Sequence, residues 1–325
     1  GKAGHRIVPV RAVGAYAPGG RYPLPSSVLM TVIPARIAGV RQVCVAGPRP
    51  TAVTLAAAAV ADADMFLCGG GAQAVAALAH GYGSWEGADV LVGPGNGYVT
   101  AAKQRISETV RIDIPAGPSE LVLWCDETAN PQWVAADLLA QAEHDPCAWP
   151  VLLVRSKAVA AAVVTELEHQ LETLPTAETA RVALQNGGIL QVENMEQAVE
   201  LAERLAPEHL QLCGRDAEVI ARNITTAGSV FIGSHSAEAF GDYGIGPNHT
   251  LPTLGSGSSY SGLSVLTFLR WQTYIDLQRA DPEIVEDTAW LARAEGLEAH
   301  ARSAEIRRDG SVSYTHLRAH ETAYT

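Results

Sequence analysis

Apolar residues in this chain fall into two alternating periods. Short runs rich in Val, Leu, Ile and Phe give way to longer stretches in which apolar positions recur every three or four residues. QVCVA at 42–46 predicts a strand, TAVTLAAAAVADA a helix, MFLC a strand and AQAVAALAHG a helix, and DVLVG at 89–93 with YVTAAKQRI adds another pair. A second series repeats the alternation. It runs LVLWC strand, WVAADLLAQAEHD helix, PVLLV strand, a long helix near 157–172, GILQV strand, MEQAVELAERLA helix, then the strands HLQLC and GSVFI. Repeated βα units imply parallel strands with helices packed on their faces, so the fold class is α/β in two halves. The segment DPEIVEDTAWLARAEGLEAHARSAEIRR predicts a further helical C-terminal part. No low-complexity linker separates the halves, which argues for tight packing between them.

Composition narrows the choice of partner. The chain has 325 residues, 47% apolar and 18% charged, enough for one large or two ordinary domains with a real core. Its net charge of −12, with no long Lys/Arg run, excludes a nucleic-acid or membrane surface as the expected partner, because phosphate recognition needs a basic footprint. A small molecule is expected instead. No apolar run has the length of a membrane span, and GKAGHRIVPV lacks the layout of a signal peptide, so the expected compartment is the cytoplasm. Cys44, Cys68, Cys125, Cys147 and Cys213 show no CxxC spacing and are odd in number, which points to small apolar residues rather than a disulfide framework.

Glycine-rich turns mark the first half. GGGAQA at 69–74 and GPGNGYVT at 93–100 each follow a predicted strand and open a predicted helix. Backbone N–H groups and the helix dipole can receive an anion there, although the glycines can equally serve only to make the turns. Two such loops on one parallel sheet suit a dinucleotide cleft. YAPGG at 16–20 adds a third loop, with Tyr16 able to pack on a ring.

Titratable groups gather in four later runs: QAEHDP at 141–146, PEHL at 207–210, GDYGIGPNHTLPT at 241–253 and EGLEAH at 295–300. Gln141 and His144 are three apart at the end of a predicted helix, so both can face one space. Asp242 offers a hard anionic ligand from a Gly/Pro-rich loop, and His249 a ligand or a substrate contact. Glu295 and His300 are five apart on a predicted helix. A set of Gln, His, Asp and His, free of thiolate, suits Zn²⁺ with open positions, or Mn²⁺ or Co²⁺ in its place. Glu208 and His209 suit proton transfer, but adjacent residues of an extended strand point to opposite faces and need a turn to share a site.

The order and content of these motifs resemble histidinol dehydrogenase over residues 7–308. YAPGG, GGGAQA, GPGN, DIPAGPSE, AEHDP, PEHL, GSVFIG, GDYGIGPNH and AEGLEAH all occur in family order. The resemblance implies two related Rossmann-like α/β domains, similar to aldehyde dehydrogenases, with a small helical C-terminal segment. It implies oxidation of L-histidinol through L-histidinaldehyde to L-histidine with two NAD⁺ and one Zn²⁺ per subunit. By the same resemblance Gln141, His144, Asp242 and His300 are zinc ligands and Glu208 and His209 the acid/base pair. Ser119, His249 and Glu295 would contact substrate beside the metal ligands and His209, and Tyr16, Gln73 and Asn96 would contact NAD⁺. The family forms homodimers with shared active sites, the C-terminal segment carrying Glu295 and His300 to the partner.

The expected division is 1–15 as the remnant of a truncated N-terminal part, 16–119 as the NAD-binding domain, 120–262 as the domain with metal and acid/base residues, 263–310 as the dimer-contacting helical segment, and 311–325 as a non-native tail. That tail, SVSYTHLRAHETAYT, has no apolar periodicity and resembles translated adapter read-through. Two alternatives stand beside the main reading. One is a related enzyme acting on another alcohol such as a sulfonated diol, against which His249, Glu295 and SGLSV at 261–265 look like the histidinol type. The other is a fragment that binds NAD⁺ without activity, against which the intact Glu208, His209 and ligand set speak.

Overall fold

The computed structural model of the chain describes residues 1–20, 22–114 and 116–308, so the tail 311–325 lies outside the described residues. Two compact units emerge: residues 9–270, and a smaller one formed by 1–8 with the segment from 271 onward. The chain opens with β1 (Lys2–Pro9). The first half of the large unit then runs β2 (Ala12–Tyr16), α1 (Pro25–Ile37), β3 (Gln42–Gly47), α2 (Ala52–Val60), β4 (Met65–Cys68), α3 (Gly71–His80), β5 (Val90–Val92), α4 (Gly97–Ile106) and β6 (Arg111–Ile112). The second half runs β7 (Glu120–Cys125), α5 (Pro131–Ala142), β8 (Trp149–Val154), α6 (Lys157–Leu171), α7 (Ala177–Asn186), β9 (Gly188–Gln191), α8 (Met195–Leu205), β10 (His209–Cys213), α9 (Ala217–Ala221), β11 (Ser229–Ile232) and α10 (Ala239–Asp242). The last elements among the described residues are β12 (Leu269–Asp276), α11 (Pro282–Ala294) and α12 (Glu298–Glu305).

Each half of the large unit holds one five-stranded sheet whose pairings are all parallel. The orders are β4-β3-β2-β5-β6 and β11-β10-β7-β8-β9. Renumbered within each half, both read 3-2-1-4-5, the order of a doubly wound nucleotide fold. The direction of winding therefore reverses between β2 and β5 in the first sheet and between β7 and β10 in the second. Central strands β2, β5, β7 and β10 are buried throughout, because helices cover both faces and every side chain must be apolar or paired. The edge strands β4, β9 and β11 are partly exposed and tolerate polar positions. Helix starts are set locally: Thr51, Asn96, Asn130, Ser156 and Asn194 each accept a first-turn N–H, and Pro occupies the first turn of α1 and α5.

The predicted βα series is present in full, and the structure adds β2, α1, β6, α7, α9 and α10 within the large unit. In the small unit β1 pairs with β12, and α11 packs on α12 through Ala289, Ala292 and Ala301. Arg293 ties the two helices by ion pairs to Glu298 and Glu305. Among the described residues no helix is long and apolar enough to cross a membrane.

Leu153 on β8 is fully buried in the cluster that covers one face of the second sheet. Leu153→Ala is expected to cost about 2–5 kcal/mol in urea unfolding, since a packed core only partly closes over a deleted side chain. A loss well below about 1 kcal/mol would mean that this face is not close-packed.

Candidate active site

The second sheet brings its titratable residues to the amino ends of β7 and β10, where the winding reverses. Helix α8 stops at Ala206, whose left-handed φ of 45° turns the chain into Pro207. Glu208 lies in that corner and His209 is the first residue of β10, paired in register with Leu121. The corner supplies the turn that an adjacent pair needs, and both side chains are buried with Glu208 Oε2 3.7 Å from His209 Nδ1.

Glu120, the first residue of β7, holds this pair through three contacts and the segment after α10 through a fourth. Its N–H donates to Glu208 Oε2 at 3.0 Å, and its own carboxylate accepts the N–H of Glu208 at 3.3 Å and of Leu254 at 2.9 Å. Its carbonyl lies 3.0 Å from His209 Nδ1. A carbonyl can only accept, so Nδ1 carries the proton and the neutral ring keeps its lone pair on Nε2. Burial pushes the His209 imidazole down to about 4, helped by His144 and His249 and opposed by the bond to Glu120. Burial also pushes the Glu208 carboxyl well above its usual range, with Glu238, Glu120 and Asp242 adding repulsion against the Glu120 N–H. Each group is driven toward its neutral form, which leaves the imidazole free to take up a proton.

Beside this pair lies a group of donors able to hold a cation. Single atoms of His144, Glu238 and Asp242 all lie within 4.8 Å of one another. His144 Nε2 and Asp242 Oδ2 are 3.9 Å apart, beyond hydrogen-bond reach. Gln141 is fully buried, yet neither its Oε1 nor its Nε2 has a partner, and Glu238 Oε2 and His249 Nε2 are also buried without one. An unpaired buried polar atom is costly, so the orphaned Gln141 Oε1, Glu238 Oε2 and His249 Nε2, with His144 and Asp242 close by, fit a divalent cation with N and O ligands, whereas Gln141 Nε2 can only donate a hydrogen bond. Burial raises the Glu238 carboxyl well above its usual range, with Asp242 and Asp137 adding to it, and raises that of Asp242 against the pull of His249 and His144. A bound cation would reverse both.

Several expected positions differ in detail. Helix α5 ends at Ala142 with Glu143 as its cap, so His144 lies just past the helix and reaches the site from the turn that follows. Asp242 ends the short helix α10 rather than sitting in open loop. His249 lies in a segment whose neighbour Asn248 donates to the carbonyl of Met30 at 2.7 Å. Ser119 is half-buried directly before Glu120. Tyr16 is not a loop residue: it ends β2, is 4% exposed, and its hydroxyl accepts the Gly71 N–H at 3.1 Å. Gln73 is exposed in the first turn of α3, and Asn96 caps α4 by accepting the Val99 N–H at 3.2 Å. Both lie at the carboxyl ends of their strands. Glu295 and His300 belong to the small unit and do not share a helix, because Gly296 at φ 79° separates α11, capped by Glu295, from α12, which carries His300.

Glu120 and Glu238 escaped the sequence reading. Glu238 stands four residues before Asp242 in AEAFGD, the spacing that puts two carboxylates on one helical face, and this signal was available. Glu120 is visible only as a charged residue at the head of an apolar run.

Residues 1–308 match the family model described as histidinol dehydrogenase. The chain is similar to the histidinol dehydrogenase of Thermus thermophilus, at 48% identity over 304 residues that span 93% of this chain and 74% of that protein. It is similar in structure to histidinol dehydrogenase from Elizabethkingia anophelis, with a TM-score of 0.89 and 38% identity over 93% of this chain and 72% of that one. An acetylating aldehyde dehydrogenase from Geobacillus thermoglucosidasius shares the fold at a TM-score of 0.60 and 16% identity, covering 86% of this chain and 77% of that one.

Gln141 offers a direct check on the orphaned donors. Gln141→Met is expected to stabilise the metal-free chain by about 1–3 kcal/mol, because it replaces an unsatisfied amide by an apolar group of similar shape. Thermal unfolding in chelator reads this, and a destabilised variant would show that the amide is satisfied in solution.

Proposed function

We propose that this chain, which belongs to the histidinol dehydrogenase family, oxidises L-histidinol through L-histidinaldehyde to L-histidine with two NAD⁺. The observation that supports it most is His209, buried beside Glu208, with Nδ1–H spent on the Glu120 carbonyl and Nε2 left as the acceptor. In the first oxidation the hydroxyl proton passes to His209 Nε2 while the carbinol carbon gives up its hydride to the nicotinamide. Water then adds to the aldehyde, with Glu208 in its ionised form taking the proton; a divalent cation held by the neighbouring donors would favour that form against the burial that opposes it. His209 releases its first proton to solvent as NAD⁺ replaces the first NADH, and its Nε2 then accepts a second proton as the hydrate gives up the second hydride. The balance is two NADH per histidinol.

Gln141, His144 and Asp242 are the proposed zinc ligands in this subunit, with Glu238 beside them. When bound, a divalent cation supplies a fixed anchor for the amine and imidazole nitrogens of the substrate, and orientation of this kind is worth several kcal/mol of barrier. Ser119 and His249 are assigned to substrate. Tyr16 at the end of β2, Gln73 in the first turn of α3 and Asn96 at the cap of α4 are assigned to NAD⁺. The Asn96 carbonyl oxygen is engaged by the helix cap, which leaves its amide N–H groups as the donors for the dinucleotide. His300 as a further ligand and Glu295 as a substrate contact come, in this reading, from a second copy of the chain. Supporting a homodimer, Trp271 is 68% and Trp290 72% exposed on the small unit, more apolar surface than so small a body leaves uncovered without reason.

The purified chain with L-histidinol and NAD⁺ is expected to yield two NADH per histidinol, abolished by a zinc chelator and restored by zinc. One NADH per alcohol, or activity on a sulfonated diol instead, would overturn the assignment. His209→Asn is expected to lower kcat by about 10²–10⁴, the weight of a general base, with KM for histidinol little changed. An unchanged kcat would remove His209 as the base.

A further inference from the structure

Under the loop that follows β5 lies an ion pair that the chemistry above does not use. Lys103 on α4 and Asp113, just after β6, form it with side chains 2% and 1% exposed. Both partners also hold the same residue. Lys103 Nζ donates to the Gly93 carbonyl at 2.9 Å, and Asp113 Oδ2 accepts the Gly93 N–H at 2.7 Å. Gly93 has φ 104°, and a Cβ there would come within 2.2 Å of the Tyr16 carbonyl oxygen, so the backbone of β2 closes the third side. The hydroxyl of the same Tyr16 accepts the Gly71 N–H of the neighbouring glycine loop. The two loops at the carboxyl edge of the first sheet are thus fixed from beneath by one connected set of groups.

A buried ion pair is weak evidence for stability, because desolvation offsets most of the attraction and apolar residues can fill the same space. It does fix direction. A charge on each side of a single residue sets the orientation of both its peptide groups, and Gly93 leads through Pro94 and Gly95 to Asn96, the cap of α4. The free N–H groups of the first turn of α4 therefore start from a fixed point, as a phosphate acceptor requires. Tyr98 in that first turn is 80% exposed, so the mouth of the helix is open to a ligand.

We propose that Lys103 and Asp113 are positioning residues for the pyrophosphate of NAD⁺, acting through Gly93 on the amino end of α4. This rests on the assignment of NAD⁺ to the first sheet.

The test is NAD⁺ affinity of the full chain, read by quenching of tryptophan fluorescence, for the unmodified protein, Lys103→Met, and the double variant Lys103→Met with Asp113→Asn. The double variant leaves no lone buried charge and guards against a single change that fails to fold. Each variant that keeps the parent circular dichroism spectrum is expected to bind NAD⁺ about tenfold more weakly, the weight of one charge-assisted hydrogen bond, with KM for histidinol unchanged. A general structural role would move both constants or neither. Folded variants that bind NAD⁺ as the parent does would overturn the inference and leave the assignment standing. An unmodified chain that binds no NAD⁺ would overturn the assignment, and the inference with it.

Discussion

Everything in the candidate site hangs on the amino ends of the neighbouring parallel strands β7 and β10, where Glu120 and Glu208 each accept the other's backbone N–H. Parallel strands that meet at a winding reversal have no crossover helix over their ends, so polar backbone groups there lack the ladder partners found further in. The two carboxylates serve those groups. Because the same Glu120 offers its carbonyl to His209, satisfying the backbone and fixing the imidazole tautomer become one arrangement. Moving either strand by one residue would reverse the facing of His209 and separate the pair.

Two halves with one strand order carry opposite chemistry because they use opposite edges. The glycine loops lie at the carboxyl ends of β4 and β5, the edge that nucleotides occupy in doubly wound sheets. The acid/base pair lies at the amino end of its sheet, which the general rule for such folds does not anticipate. The connection from β6 to β7 accounts for the difference: it leaves the carboxyl end of β6 and enters the amino end of β7 with no helix among its described residues. Thr100 bonds the Ala116 carbonyl at 2.7 Å and Thr253 accepts the Gly117 N–H at 2.6 Å, so this connection is held by both halves. The glycine loops of one edge and the Glu208–His209 pair of the other are thereby linked through one short connection.

Much of this was legible in the residues, and the failures have physical causes. Central strands announced themselves as unbroken apolar runs because both of their faces are covered. AVGAY was missed because small residues pack a central strand as well as large ones do, without the bulk that marks one in sequence. Helix α1 carries Pro34 in its interior, which breaks the expected pattern. Among site residues, Glu208 and His209 stood out as adjacent chemistry, and Gln141 and His144 as a spaced pair. Glu120 did not, since its significance is a contact across 88 residues that no local spacing encodes. Gly296 divides what looked like one helix, because a single glycine in a helical pattern reads equally as interior or as end.

Fold and site also pull against each other, and the orphaned atoms show where. Trp124, Leu123 and Leu121 on β7 are packed almost without exposure, yet around the heads of this strand and its neighbour lie three buried acids, Glu120, Glu208 and Glu238, with buried His209 and the half-buried Asp242 and His249. Burial drives all of them toward neutrality, and Gln141 pays for an amide with no partner. A sequence chosen for stability alone would place apolar residues there. A ligand that satisfies these groups binds the folded chain and not the unfolded one, so its affinity adds directly to the stability of the fold. The large unit is therefore best understood as two well-packed sheets that meet an under-satisfied polar corner, whose full stability is reached only when the donors of Gln141, His144, Glu238 and Asp242 have something to hold.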